Sequence, residues 1–216
     1  MNDILTMVAT DHPRLAPLIP AVRKAVDLVT TSQRAGGWLF ACGCGGSAAD
    51  ADHIVGECMK GFLSLRPATD AVDSRLNAMD PAWKDLAPKL QRGIRAMSLA
   101  AHPALVSAIA NDQHAHLAYA QQVYAAARPG DVVIGLSTSG NSPVVVRALQ
   151  IARAQGCRTI GFTGERPSAM DQWCDVVIKA PATETYRVQE CHLPLYHALC
   201  ALAEEQLFSP AAVSAH

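Results

Sequence analysis

The chain has 216 residues, half of them apolar, with 18 Lys and Arg against 19 Asp and Glu and a formal net charge of −1. That length suits one α/β domain with a substantial core, and the scattered, balanced charge leaves no electrostatic footprint for nucleic acid. No apolar run approaches the roughly 20 residues of a membrane helix, and Met1 to Val8 lacks a basic-then-apolar leader, so a soluble, cytoplasmic protein with no membrane partner is expected.

Residues 13–35 alternate apolar and polar positions at helical spacing and run into Gly36-Gly37, which predicts an N-terminal helix. Trp38 to Cys42 reads as a short apolar strand, after which Gly43, Gly45 and Gly46 let the chain turn with its N–H groups exposed. A helix is then expected, with Ser47 as N-cap and Asp50 completing a capping box. Residues 63–92 carry Pro67, Pro81 and Pro88, and predict a long covering connection with a helical turn or two; Gly93 to Leu99 follows as a second strand.

Residues from His102-Pro103 to Ala127 are predicted helical in two pieces, broken near Asn111-Asp112. Val132 to Leu136 is the best buried strand, and it leads into Ser137-Thr138-Ser139-Gly140-Asn141-Ser142-Pro143 and a helix over 144–155 that Ser142 can cap. Arg158 to Thr163 and Asp175 to Lys179 read as a fourth and a fifth strand, and about 190–207 as a C-terminal helix whose regular part begins close to Pro194. The alternation predicts an α/β fold: one domain over 1–216, with a mostly parallel five-stranded sheet in a core of about 36–180, helices on both faces and an insertion at about 63–92. In such sheets ligands sit beyond the carboxyl ends of the strands, where the Gly43–Ser47 turn and the Ser137–Ser142 loop both fall.

Each of those loops feeds a helix N-terminus, where unpaired N–H groups and the helix dipole favour an anion, and hydroxyls add further donors for phosphate. Gly43 to Ala48 also matches the dinucleotide fingerprint, but the second strand ends Ser98-Leu99-Ala100-Ala101-His102 with no carboxylate for a ribose. His53 and Glu57 stand four residues apart, leave one helix face together and can hold a metal ion or serve as an acid/base pair. The seven cysteines (42, 44, 58, 157, 174, 191 and 200) form an odd set with no repeated C-x-x-C pair, and are expected to be mainly buried small hydrophobes.

Three segments together, Cys42 to Glu57, Ser137 to Ser142, and Gln189-Glu190 through His197, resemble the signature segments of the sugar isomerase (SIS) domain proteins. The resemblance spans about residues 20–207 and is strongest to the phosphoheptose isomerase branch. It implies a flavodoxin-like or Rossmann-like three-layer sandwich and an aldose-ketose isomerase acting through an enediol, converting sedoheptulose 7-phosphate into D-glycero-D-manno-heptose 7-phosphate. It also implies zinc, one ion per site, at His53, Glu57, Gln189 and His197, with Glu57 and His197 as the catalytic acid/base pair and no organic cofactor. Sugar phosphate would be bound by Ser47, Asp112, Ser137, Thr138, Ser139, Ser142 and Gln189. A homotetramer with sites near subunit boundaries is implied as well. The alternatives are a non-catalytic SIS sugar-phosphate binder or regulator and an isomerase of a shorter sugar phosphate. Cys44 and Tyr186 depart from the asparagine and aspartate usual in the family, and residues 63–92 are longer than its usual connection. On a straight helix Gln189 and His197 would be about 12 Å apart along the axis. Either Gln189 precedes the helix, on a turn made possible by Pro194, or one of the two serves a neighbouring subunit's site.

Overall fold

A computed structural model describes residues 4–68 and 70–209; the ends of the expected 1–216 unit, 1–3 and 210–216, and residue 69 of the connection lie outside the described residues. The strands are β1 (Leu39–Cys42), β2 (Ala96–Ser98), β3 (Val132–Leu136), β4 (Arg158–Gly164) and β5 (Val176–Ala180). They form one all-parallel sheet in the order β2-β1-β3-β4-β5, the doubly wound arrangement expected of alternating strands and helices.

Side-chain alternation along the strands divides the core in two. Leu39, Ala41, Val132, Ile134, Ile160 and Phe162 face one layer, in which α1 (Ile4–Asp11), α2 (Ile19–Arg34), α3 (Gly46–Met59) and α8 (Thr185–Phe208) pack. Phe40, Cys42 and Val133 face the other, against α6 (Ala118–Ala126) and α7 (Pro143–Ala154). Each fully buried Leu, Ile or Phe in these clusters is worth about 1.5–3 kcal/mol of transfer free energy, so the two layers hold the sheet from both faces.

Several boundaries move from their expected places. The predicted N-terminal helix is a 3-10 turn, Pro13–Leu18, followed by α2, and is preceded by the unpredicted α1, whose Leu5 and Val8 reach the core. Ser47 is not an N-cap: Gly45, at φ 58°, turns the chain into α3 already at Gly46. The Ser47 amide bonds the Cys44 carbonyl and its side chain is buried, so no capping box forms with Asp50. The connection carries α4 (Asp70–Met79) and the 3-10 turns Pro81–Asp85 and Ala87–Lys89. The stretch after β2 is interrupted where expected: α5 (Pro103–Ile109) passes through a π turn at Ala110–His114 before α6. The C-terminal helix begins at Thr185, five residues early, and runs through Pro194. Burial of Val188, Leu195, Tyr196, Leu199 and Ala203 along its length offsets the hydrogen bond that Pro194 cannot donate.

Candidate active site

The chain leaves β1 toward β2 on one side and β3 toward β4 on the other, so a crevice opens between the carboxyl ends of β1 and β3. Its first wall is the glycine turn. Tyr119 Oη donates to the Gly43 carbonyl at 2.6 Å from beneath, and Gly46 packs so tightly on α8 that a Cβ there would meet Gln189 Nε2 at 2.5 Å. The second wall is the hydroxyl loop after β3. Its Ser137 amide bonds the Phe162 carbonyl at 3.0 Å, the Thr138 carbonyl accepts from the Gly164 amide at 3.0 Å, and Asn141 Oδ1 accepts from the Ala169 amide at 2.9 Å. Gly140, at φ 65°, lies against Ser168, where any side chain would clash. The loop is therefore held rigidly by β4 and the turn after it.

Between the walls is a cavity of about 320 Å³ lined by Ser47, Ser137, Thr138, Ser139, Ser142 and Gln189, together with Cys44, Gly45, Gly46, Leu136 and Thr185. Six of the seven residues expected to bind substrate thus meet in one place, at the N-termini of α3 and α7. Ser142 occupies the N-cap position of α7 but makes no capping hydrogen bond; Cys44 Sγ lies 3.6 Å from its hydroxyl. Asp112, the seventh, is on the π turn, exposed and accepting from its neighbour Asn111 at 2.8 Å, and is not among the residues lining this cavity. A cavity of about 380 Å³ at the amino ends of the strands contains Arg95, Arg128 and Asp131, but all three are engaged. Arg95 bonds the Gly36 carbonyl and covers Trp38, Arg128 bonds the Ala125 and Ala127 carbonyls, and Asp131 accepts from the Trp38 and Arg128 amides.

Farther along α3, His53 Nε2 lies 3.1 Å from Glu57 Oε1 and 3.4 Å from Nε2 of His197, which projects from α8. One ligand atom from each of the three lies within 4.8 Å of the other two. His197 is held toward its neutral form, because burial and then the adjacent His53 lower its pKa against the opposing pull of Glu57. His53, Glu57 and His197 therefore converge within one chain, which removes the need for the two histidines to come from different subunits. Gln189 does not precede the helix: it sits in α8, about 12 Å of rise from His197, and its amide lies against Gly46 on the hydroxyl cavity. The expected four-residue metal set is thus three residues at one place and a fourth at the other end of the crevice. His192, in the same polar stretch of α8, is wholly buried, with Nε2 3.2 Å from the Thr163 carbonyl and its pKa pushed down to about 4 by burial.

Three features of the site gave no sequence signal. Arg66 and Glu204, 138 positions apart, form a buried ion pair beneath the C-terminal end of α3. Tyr196 places its hydroxyl between Asp50 and His53. Tyr119 supports the glycine turn from another layer. All three depend on contacts between elements distant in the chain.

The SIS domain family model matches residues 15–82 and 73–164. The phosphoheptose isomerase of Rhodospirillum rubrum is 37% identical over 196 residues, covering 91% of each chain. This chain belongs to the phosphoheptose isomerase family. Another member, from Trichlorobacter lovleyi, is 36% identical over 213 residues and covers 96% of both chains. Among solved structures, the phosphoheptose isomerase GmhA from Neisseria gonorrhoeae superposes with a TM-score of 0.72 at 27% identity, covering 92% of each chain. Family membership and the parallel sheet agree with what the three sequence segments imply.

Proposed function

We propose that this protein is a zinc-dependent aldose-ketose isomerase that converts sedoheptulose 7-phosphate into D-glycero-D-manno-heptose 7-phosphate. The observation that carries this reading is the pairing of two sites on α3: a hydroxyl-lined cavity at its start, and the His53–Glu57–His197 cluster two turns farther on. Gly46 and His53 are about 10 Å apart along the helix axis, a distance suited to a sugar whose phosphate and carbonyl lie at opposite ends of the carbon chain.

The donor set suits zinc. Two imidazole nitrogens and a carboxylate are ordinary zinc ligands, and three protein ligands leave one position open for water or substrate, as catalytic sites require. With bonds of about 2.0–2.1 Å, tetrahedral ligand atoms are about 3.3 Å apart, close to the 3.1 and 3.4 Å separations here. When bound, zinc would polarise the sugar carbonyl and stabilise negative charge on its oxygen.

The protein's own groups supply the remaining chemistry. Ser47, Ser137, Thr138, Ser139 and Ser142, with the N–H groups that open α3 and α7, hold and orient the phosphate, while Gln189 bonds a hydroxyl of the carbon chain. Glu57 removes the proton from C1 of the ketose and the electron pair forms the C1–C2 double bond, leaving an enediolate with its negative charge on the former carbonyl oxygen; neutral His197 takes the O1 hydroxyl proton and passes it to that oxygen. Glu57 then delivers its proton to C2, leaving the aldehyde at C1. Both residues end as they began, and no organic cofactor takes part.

The test is to incubate protein of known metal content, before and after chelation, with ketose phosphates of five to seven carbons and to follow aldose formation. The expected result is about one zinc per chain, preference for the heptose phosphate, and activity that chelation removes and zinc restores. Absence of aldose from every substrate with zinc-loaded protein would overturn the proposal. The same assay separates a five-carbon substrate, whose shorter chain would have to bridge the same 10 Å.

Assembly belongs to the same proposal, as a homotetramer. Met59, Leu63 and Leu65 are exposed at the end of α3 and the start of the connection, and Met79 and Leu86 farther along it, apolar side chains that suit burial by another copy. A neighbouring chain would also bring Asp112 to a cavity that its own chain does not offer it. Light scattering on the assay sample should give four times the chain mass; a monomer there would eliminate shared sites. The seven cysteines are all free, which suits a reducing compartment and a cytoplasmic place of action. Among the described residues no helix is long and apolar enough to cross a membrane.

A further inference from the structure

Of the seven free cysteines Cys44 alone is exposed; Cys42, Cys58, Cys157 and Cys200 are buried, and Cys174 and Cys191 half-buried. A thiol reacts as its thiolate, and burial pushes the thiols of Cys42, Cys157 and Cys174 up from their ordinary value. Cys44 is therefore the thiol that a reagent arriving from solvent meets first. It is also part of the hydroxyl-lined cavity, where its Sγ lies 3.6 Å from the Ser142 hydroxyl, between the N-termini of α3 and α7. The Cys44 carbonyl accepts from the Ser47 amide at 3.1 Å, so the residue is fastened to the first turn of α3.

A second observation marks the space in front of Cys44 as built for a ligand. Ser47 lines the same cavity and is only 4% exposed, yet its hydroxyl bonds no group among the described residues. A hydroxyl so enclosed costs free energy until something in the cavity bonds it. The Ser142 hydroxyl makes no capping bond either. Together with the N–H groups that open α3 and α7, these donors favour an anion directly in front of the Cys44 sulfur.

We infer that Cys44 is a modification site for small anionic disulfides, and that the mixed disulfide formed there fills the cavity and excludes phosphate. The inference rests on the reading of this cavity as the phosphate site. In the step itself the Cys44 thiol releases its proton to solvent and the thiolate attacks one sulfur of the disulfide. The new S–S bond forms as the old one breaks, and the departing half leaves as a thiolate that takes up a proton. Cys44 is oxidised, the departing half is reduced, and the disulfide is the only oxidant. Excess free thiol runs the same exchange backward, so the block is reversible. The acidic group of the retained half meets the donors that would otherwise hold the phosphate.

The test incubates the full chain with glutathione disulfide, whose halves carry net negative charge, and separately with cystamine, whose ends are cationic. Adducts are timed by intact mass and located by peptide mapping, with each rate divided by that of free cysteine and the same reagent. The expected result is an adduct at Cys44 before any other cysteine, a higher relative rate with glutathione disulfide, and a fall of about ten-fold or more in that rate at saturating inorganic phosphate. Aldose formation by the wild type should drop in proportion to the adduct and return with dithiothreitol, whereas that of Cys44→Ser should not respond to the disulfide. An adduct that forms first at another cysteine, a relative rate no higher than with cystamine, or a rate that phosphate leaves unchanged overturns the inference. Wild-type protein that forms no aldose before treatment would instead defeat the isomerase reading, and the mapping and phosphate protection would still decide the modification site. Should Cys44→Ser fail to fold, Cys44→Ala takes its place, and the wild-type mapping needs neither variant.

Discussion

Glu57→Gln is expected to lower isomerase turnover by about 10²- to 10⁴-fold, the usual contribution of a positioned acid/base group, while leaving the fold intact. The substitution is nearly isosteric. Glu57 is partly exposed on the C-terminal half of α3, with His53 at 3.1 Å and Lys60 at 3.6 Å, and an amide can occupy the same volume without burying new polar surface. What it cannot do is accept the carbon-bound proton or offer an anionic ligand to an ion. Loss of turnover should therefore accompany weaker zinc binding, with KM for the sugar phosphate changed far less, because the hydroxyl cavity proposed to hold the phosphate is at the other end of the crevice. Steady-state kinetics with a chemical unfolding curve on the same sample would check this. Undiminished turnover would remove Glu57 from the proton transfer.

The largest stability effect is expected at Arg66, where replacement by Ala should cost about 3–5 kcal/mol by breaking a buried ion pair. Arg66 is fully buried, with Nε 2.7 Å from Glu204 Oε1, Nη1 2.8 Å from the Cys58 carbonyl, and its guanidinium over the Phe208 ring. Glu204 also accepts from the amides of Phe62, Leu63 and Ser64, so the connection is fastened to α8 as it leaves α3. Removing the guanidinium strands a buried carboxylate and two carbonyls, one of them belonging to Glu57. Denaturant unfolding of metal-free protein would measure the loss, and a value below about 1 kcal/mol would show that water replaces the guanidinium there. Activity should fall with stability, since the turn bearing Glu57 loses its anchor.

The same pair sets a pH dependence. Burial alone would raise the pKa of Glu204, but the Phe62 and Leu63 amides and the Arg66 guanidinium outweigh it and hold the carboxyl below its ordinary value. Because the folded-state pKa is the lower one, this contribution is complete above the unfolded-state pKa and is lost as pH falls through the folded-state value. The acid limb of the wild-type stability curve should accordingly be steeper than that of Glu204→Gln.

Chemistry confined to one stretch of chain was legible in the sequence. His53 and Glu57 declare themselves by a four-residue spacing that helix geometry alone converts into one face. The hydroxyl loop declares itself by following the most apolar strand, and the strand-helix alternation dictates a parallel sheet with both loops at its carboxyl end. The start of α3 differs from the local expectation because a capping serine is only a local preference. A glycine at positive φ turned the chain one residue earlier and buried Ser47 in the crevice instead. α8 starts well before Pro194 because the core contacts along it outweigh the proline's local cost.

What only the tertiary structure decided is where α8 lies against α3. That packing brings His197 to His53, sets Tyr196 between Asp50 and His53, buries Glu204 on Arg66, and leaves Gln189 against Gly46 rather than beside His197. Each contact joins residues more than 130 positions apart, where neither periodicity nor propensity carries information. The sequence determined by itself which residues could do chemistry and which end of the sheet they occupy, because backbone geometry fixes both within a few residues. Which of them share a site was settled by the burial of two apolar helix faces against one sheet.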